Sequence, residues 1–200
     1  MMLLCMCVLT ACSSDDGESN NKDGVYVING HKFVDLGLPS GLLWAECNIG
    51  ASEPEEVGYK YRWGDVEEYT VTGYKFYDGN TNTFTKYNKK DAKITLEPED
   101  DAATVLWGKN CHIPTKKEFE ELIKYCKWKF ADQLGDATVT GPNGNHLFLP
   151  PYFMYRTSSL DTTYPTDECA YSLQLYKGST YIAPCNPRIS PLPVRPVAEK

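Results

Sequence analysis

The apolar and polar positions divide the chain into hairpins, one amphipathic helix and long loops. Val25-Tyr26-Val27-Ile28 and His31-Lys32-Phe33-Val34 flank Asn29-Gly30. Asn-Gly tolerates the positive φ angles of a type I′ turn, so this spacing predicts an antiparallel hairpin. Leu42-Leu43-Trp44-Ala45 reads as a short buried strand. Residues 50–95 are rich in Gly, Tyr, Thr, Asn and Lys and show no helical period, which predicts loops and short strands. A short helix is predicted from Pro98 to Trp107, with Glu99, Asp100 and Asp101 near the positive end of its dipole and Gly108 ending it. The clearest helix lies near 115–127. Thr115 and Glu118 have the spacing of a capping box, and Phe119, Leu122, Ile123 and Cys126 fall on one stripe while Lys116, Lys117, Glu120, Glu121 and Lys124 take the wet side. A second hairpin is expected from 137–140 and 146–149 around Gly141-Pro142-Asn143-Gly144-Asn145, and a third from 170–176 and 180–183 around Lys177-Gly178-Ser179. Residues 193–197 are expected to form a last short strand. No Pro- or Ser-rich linker interrupts residues 24–200, so the pattern predicts a single α+β domain of short antiparallel strands, hairpins and long loops.

The amino terminus breaks this pattern. Met1 to Ala11 carries no charge, and all 20 basic and 27 acidic residues follow it. It ends in Leu9-Thr10-Ala11-Cys12, followed by the polar tract Ser13-Ser14-Asp15-Asp16-Gly17-Glu18-Ser19-Asn20-Asn21. An apolar run ending in small residues before a cleavage point is an export signature. The Cys after Leu-Thr-Ala resembles the bacterial lipobox, which implies lipidation of Cys12 and a membrane partnership through a lipid anchor. Residues 1–11 are then the signal segment and 12–23 an acidic flexible tether. The run is short and lacks a basic region, the pattern of a start assigned downstream of the true one. Asp15, Asp16 and Glu18 resemble the tags that send Bacteroidota lipoproteins to the cell surface, so the expected location is the outer membrane, surface-exposed.

Composition narrows the partners. The net charge is −7 and the pI about 5.0, which argues against nucleic acid, since phosphate backbones attract clustered Lys and Arg. Of the 8 cysteines, Cys5, Cys7 and Cys12 belong to the leader, leaving Cys47, Cys111, Cys126, Cys169 and Cys185. At most two disulfides can form, and spacing does not choose among the pairings. Cys169 and Cys185 bracket the third hairpin and are the expected pair.

Several blocks, in order, resemble the Fibrobacter succinogenes major paralogous domain family. They include Phe33-Val34-Asp35-Leu36-Gly37-Leu38-Pro39-Ser40-Gly41-Leu42-Leu43-Trp44-Ala45, Cys47-Asn48-Ile49-Gly50-Ala51, Tyr61-Arg62-Trp63-Gly64 and Asp100-Asp101-Ala102-Ala103. Ile113-Pro114-Thr115, Val139-Thr140-Gly141-Pro142-Asn143-Gly144-Asn145, Phe148-Leu149-Pro150 and Val194-Arg195-Pro196-Val197 continue the series. The resemblance implies a C-type-lectin-like fold, whose terminal strands meet and whose long loops form a variable face. The chain departs from the family pattern at 151–156 and 161–166, so its loop face is individual.

The candidate chemistry is recognition rather than catalysis. The triplets of calcium-dependent lectins are absent, and Glu97, Glu99, Asp100 and Asp101 are explained by a helix start, so no cofactor or metal is expected. Aromatic rings crowd residues 59–87, and flat rings can cover the apolar face of a sugar. Tyr69, Tyr74, Tyr77, Tyr152 and Tyr155 are the candidate ligand-binding residues. His31, His112 and His146 stand in no catalytic spacing, and no nucleophile elbow or phosphate loop occurs. The expected function is a non-catalytic surface protein recognising a glycan or a host or envelope protein. The alternatives are a structural envelope or adhesin component, and an enzyme related to the formylglycine-generating oxidases.

Overall fold

The first hairpin pairs Val25–Ile28 with His31–Asp35, and Asn29 and Gly30 take the positive φ angles (50° and 82°) that the turn requires. These observations come from a computed structural model, which describes residues 24–71, 73–131, 136–176 and 178–200. The expected signal segment, Cys12 and the expected tether lie outside the described residues. His31–Asp35 then pairs with Leu43–Ala45, and Val197–Ala198 inserts between Leu43–Ala45 and Cys111–His112. The two ends of the domain therefore share one five-stranded sheet.

Successive residues on a strand point to opposite faces, and both faces of this sheet are covered. Phe33, Leu43, Ala45 and Ala198 face one cluster with Tyr61, Trp63, Tyr74, Phe76, Tyr87 and Trp107. Val34, Trp44 and Val197 face a second cluster with Phe119, Leu122, Val139, Leu149, Tyr155, Leu173 and Leu175. Each large side chain so buried contributes about 1.5–3 kcal/mol.

Two three-stranded antiparallel sheets complete the second cluster. One orders His146–Leu149, Ala137–Thr140 and Lys127–Phe130, and the other Met154–Leu160, Cys169–Tyr176 and Ser179–Pro187. The Gly141–Asn145 turn docks on the first hairpin. Asn143 and Asn145 each donate to the Asp35 carbonyl at 2.8 Å, and a Cβ at Gly141 would collide with the Leu36 carbonyl. Leu192–Pro193 pairs with Lys60–Tyr61, and Tyr77–Asp78 with Thr83–Phe84. The fold is α+β and mainly β, built of antiparallel strands and hairpins. No helix among the described residues is long and apolar enough to cross a membrane.

The helices depart from expectation at their ends. The segment predicted as one helix from Pro98 to Trp107 is a 3-10 turn, Pro98–Asp100, followed by α1, Ala102–Trp107. Asp101 divides them because its extended backbone (φ −95°, ψ 111°) leaves its carboxylate to cap α1 by accepting from the Thr104 N–H. The second helix, α2, spans Lys116–Tyr125 with both halves of the capping box formed. It stops short of 127 because Cys126 is extended and leads straight into the strand Lys127–Phe130, which the pattern did not predict.

Candidate ligand-binding loop face

Among its described residues, the long segment from Tyr59 to Leu96 has only three two-residue strands, and a buried cation organises it. Arg188 is wholly buried. Its guanidinium donates to the carbonyls of Tyr87 at 3.1 Å, Lys86 at 3.1 Å and Asp167 at 3.0 Å, and to the Tyr74 hydroxyl at 3.3 Å. It also lies 4.4 Å from the Phe84 ring centre and 4.8 Å from that of Trp63. Charge-assisted hydrogen bonds and ring faces replace the solvation that burial removes. The Arg188 carbonyl in turn accepts from the Trp63 N–H at 2.9 Å, and the Trp63 carbonyl from the Tyr74 hydroxyl at 2.5 Å. Burial pushes the Tyr74 phenol up to about 12.

A second polar hub lies beside it. The Lys86 ammonium contacts Glu97 at 2.7 Å, Glu99 at 3.1 Å and Asp100 at 2.5 Å. Asp100 also accepts from Lys75 at 2.8 Å and from the Tyr87 hydroxyl at 2.7 Å. Burial alone would lower the lysine and raise the aspartate, but these hydrogen bonds reverse both, holding Lys86 above and Asp100 below their ordinary values. Oxygen atoms of Glu97, Glu99 and Asp100 lie within 4.8 Å of one another, as hard-cation ligands would. The lysine already supplies the positive charge there.

On this frame opens a groove of about 290 Å³. Arg62 and Asp65 form its nearly buried floor, paired at 2.6 Å, while Glu67, Glu68, Thr70 and Lys75 are exposed around it. Tyr69 is not itself part of the lining but stands between Glu68 and Thr70, which are; it is about two-fifths exposed, with its ring centre 5.5 Å from the Arg62 guanidinium. The Tyr69 N–H donates to the Lys60 carbonyl at 2.8 Å, and the Lys60 ammonium lies 5.1 Å from the half-buried Tyr152 ring. Lys60 thus links the two tyrosines.

The five candidate tyrosines separate by burial. Tyr69, Tyr77 and Tyr152 reach the surface, Tyr77 with its hydroxyl bonded to Asn82 and its ring against Phe84. Tyr155 is wholly buried and donates to the Pro150 carbonyl at 2.9 Å, and Tyr74 is enclosed by the Arg188 hub. Both are corrections to the sequence-based expectation: their rings fill the two cores and cannot meet a ligand. Polar neighbours on either side of Tyr74 suggested exposure, but they flank a ring turned inward. The expectation also missed Arg62, Asp65, Glu67, Glu68 and Lys75. The only signal was their charge density between Tyr61 and Phe76.

Elsewhere, Cys169 and Cys185 are joined, while Cys47, Cys111 and Cys126 carry thiols. Burial pushes Cys111 and Cys126 up to about 11. His31 stacks on Trp107, ring centres 3.7 Å apart and 8° from parallel, beside a surface groove of about 410 Å³ that Glu46, Cys47 and Glu53 also line. His112 meets both oxygens of Glu118 at 3.1 Å. Comparison of the chain with family models, with curated proteins and with solved structures finds no match.

Proposed function

We propose that this chain is a non-catalytic binding protein, anchored by lipid at Cys12 to the outer membrane and exposed at the cell surface, whose loop face recognises a glycan. The domain is read as C-type-lectin-like, of the Fibrobacter succinogenes major paralogous type. The meeting of both terminal strands in one sheet, with long loops gathered on the side of the Arg188 hub, supports that reading.

The observation that carries the glycan reading is the pairing of an exposed ring with a polar groove. Tyr69 offers a flat face to the C–H side of a pyranose, Arg62 and Lys75 offer donors, and Asp65, Glu67 and Glu68 offer acceptors for its hydroxyls. Recognition in this scheme is metal-free, since Lys75, Lys86 and Lys93 together balance the three carboxylates of the nearest cluster. Preordered loops lower the conformational cost of binding.

A glycan array probed with the full chain and with Tyr69→Ala tests the reading. A bound sugar is expected, with affinity reduced about tenfold in the variant by loss of the ring face. Absence of any bound sugar, or capture of an envelope protein that free sugars do not displace, would replace the glycan with a protein partner. The anchor is tested separately: Cys12→Ser should abolish labelling by a clickable fatty acid, and persistent labelling would overturn it.

A further inference from the structure

A third concavity lies where the Pro98–Asp100 turn, α1 and Cys111–His112 approach Ser158. This cleft has a volume of about 320 Å³ and mostly apolar walls that include Leu96, Pro98 and Cys111. That volume and lining are typical of small-molecule sites.

Nearly every buried polar group on its walls is already engaged within the protein. The Thr104 hydroxyl donates to the Cys111 carbonyl at 2.8 Å. The Asp101 carboxylate accepts from the N–H groups of Thr104 at 3.0 Å and Ile113 at 2.9 Å. His112 is held by Glu118. Ser158 differs. Its N–H donates to the Pro114 carbonyl at 2.9 Å and its carbonyl accepts from the Leu96 N–H at 3.0 Å, but its hydroxyl has no hydrogen-bond partner, although the residue is only 2% exposed. A buried hydroxyl without a partner costs free energy that a ligand group could restore. Its neighbours on the strand, Thr157 and Ser159, both use their hydroxyls, toward the Tyr171 carbonyl and the Lys116 N–H.

The cleft favours neither sign of ligand charge. Asp101 stands against Lys109 on its lining, His112 is paired with Glu118, and the apolar walls penalise an ion of either sign. We propose that this cleft is a binding site for a small uncharged molecule with an apolar body and one hydroxyl or carbonyl group, which hydrogen-bonds to Ser158 Oγ when rotation about χ1 turns that hydroxyl from its enclosed position into the cleft. The site is separate from the Tyr69 groove and stands independently of the glycan reading.

Three probes of one shape test it by NMR on the full chain: benzyl alcohol, benzoate and benzylamine. Benzyl alcohol should give saturable amide shifts at Leu96, Thr104 and Ser158, and each charged probe should bind about tenfold more weakly or worse. Ser158→Ala, which removes one oxygen atom, should weaken benzyl alcohol about tenfold. Thr95→Trp, at an exposed wall position, should block the cleft and abolish the shifts. No saturable shift with benzyl alcohol, equal or tighter binding of benzoate or benzylamine, or undiminished binding in Thr95→Trp would each overturn the proposal.

Discussion

The two sides of the central sheet reach order by different means. Around Phe119 the structure is held by apolar stripes, strand ladders and a capped helix, and its buried groups are chiefly hydrocarbon and rings. Around Arg188 the backbone has little regular structure, and its carbonyls are satisfied by one guanidinium while Lys86 gathers three carboxylates. The lesson is that a loop-rich face can be well defined without periodic structure, provided a buried polar hub accepts its backbone groups. Such hubs are all-or-none. Removing one apolar contact leaves a cavity, whereas removing the cation leaves several carbonyls without donors.

The largest effect expected from a single truncation lies on the apolar side. Phe119→Ala removes a wholly buried ring 5.2 Å from the Trp44 ring centre, and should cost about 4 kcal/mol in urea unfolding. Hydrogen exchange should accelerate on both sides of the sheet, because this cluster supports the whole domain. Arg188→Met should cost about 3 kcal/mol by leaving carbonyls unsatisfied. Its signature is local: amides of 74–96 should lose protection well before those of 137–149. Equal loss in both segments would break the distinction between the two sides. Thr115→Ala removes the cap of α2 and should cost about 1 kcal/mol, with no change in protection near Arg188.

Much of the Phe119 side was legible in the sequence because its elements carry local signals. Thr115 and Glu118 mark a helix start, and Phe119 and Leu122 are buried as their spacing implies; Asn29-Gly30 likewise marks a turn of the sheet that the two sides share. The third hairpin was recognised by alternation but is longer than expected, reaching Cys169–Tyr176 and Ser179–Pro187, since a register shift between Ala170 and Ser172 hides part of its period. The Arg188 side was scarcely legible. Nothing near Arg188 in the sequence distinguishes a buried hub from a solvated arginine, and its partners Tyr87 and Lys86 lie 101 and 102 positions away and Asp167 lies 21 away. Tyr87 stands between Lys86 and Asn88, two polar residues, yet it is wholly buried, with its hydroxyl on Asp100. Burial there is decided by contacts distant in sequence, which single-sequence patterns do not encode.

The smallest expected effect separates the two sides by sign. On the Arg188 side, burial would raise Asp100, but hydrogen bonds from Lys75, Lys86 and Tyr87 hold it below its ordinary 3.8; hydrogen bonds from Lys86 and Lys93 likewise lower Glu97. Groups lowered by folding stabilise above their unfolded values and lose that contribution as pH falls through their folded ones. Acidification below about 4 should therefore loosen residues 74–100. On the Phe119 side, burial would lower His112, but Glu118, with Asp101 and Glu199 further away, lifts it above 6.5. That contribution is complete below the unfolded value and is lost as pH rises through the folded one. Its partner Glu118 is lowered by the same pairing, so acid weakens this side too, and only the alkaline arm discriminates. Raising the pH from 6 to 8 should modestly increase exchange at the start of α2, after correction for intrinsic rates, and leave 74–100 unchanged. His112→Gln should abolish that alkaline response while preserving the acid response of 74–100. An alkaline response that survives the substitution would mean that the pairing of His112 with Glu118 does not stabilise the helix start.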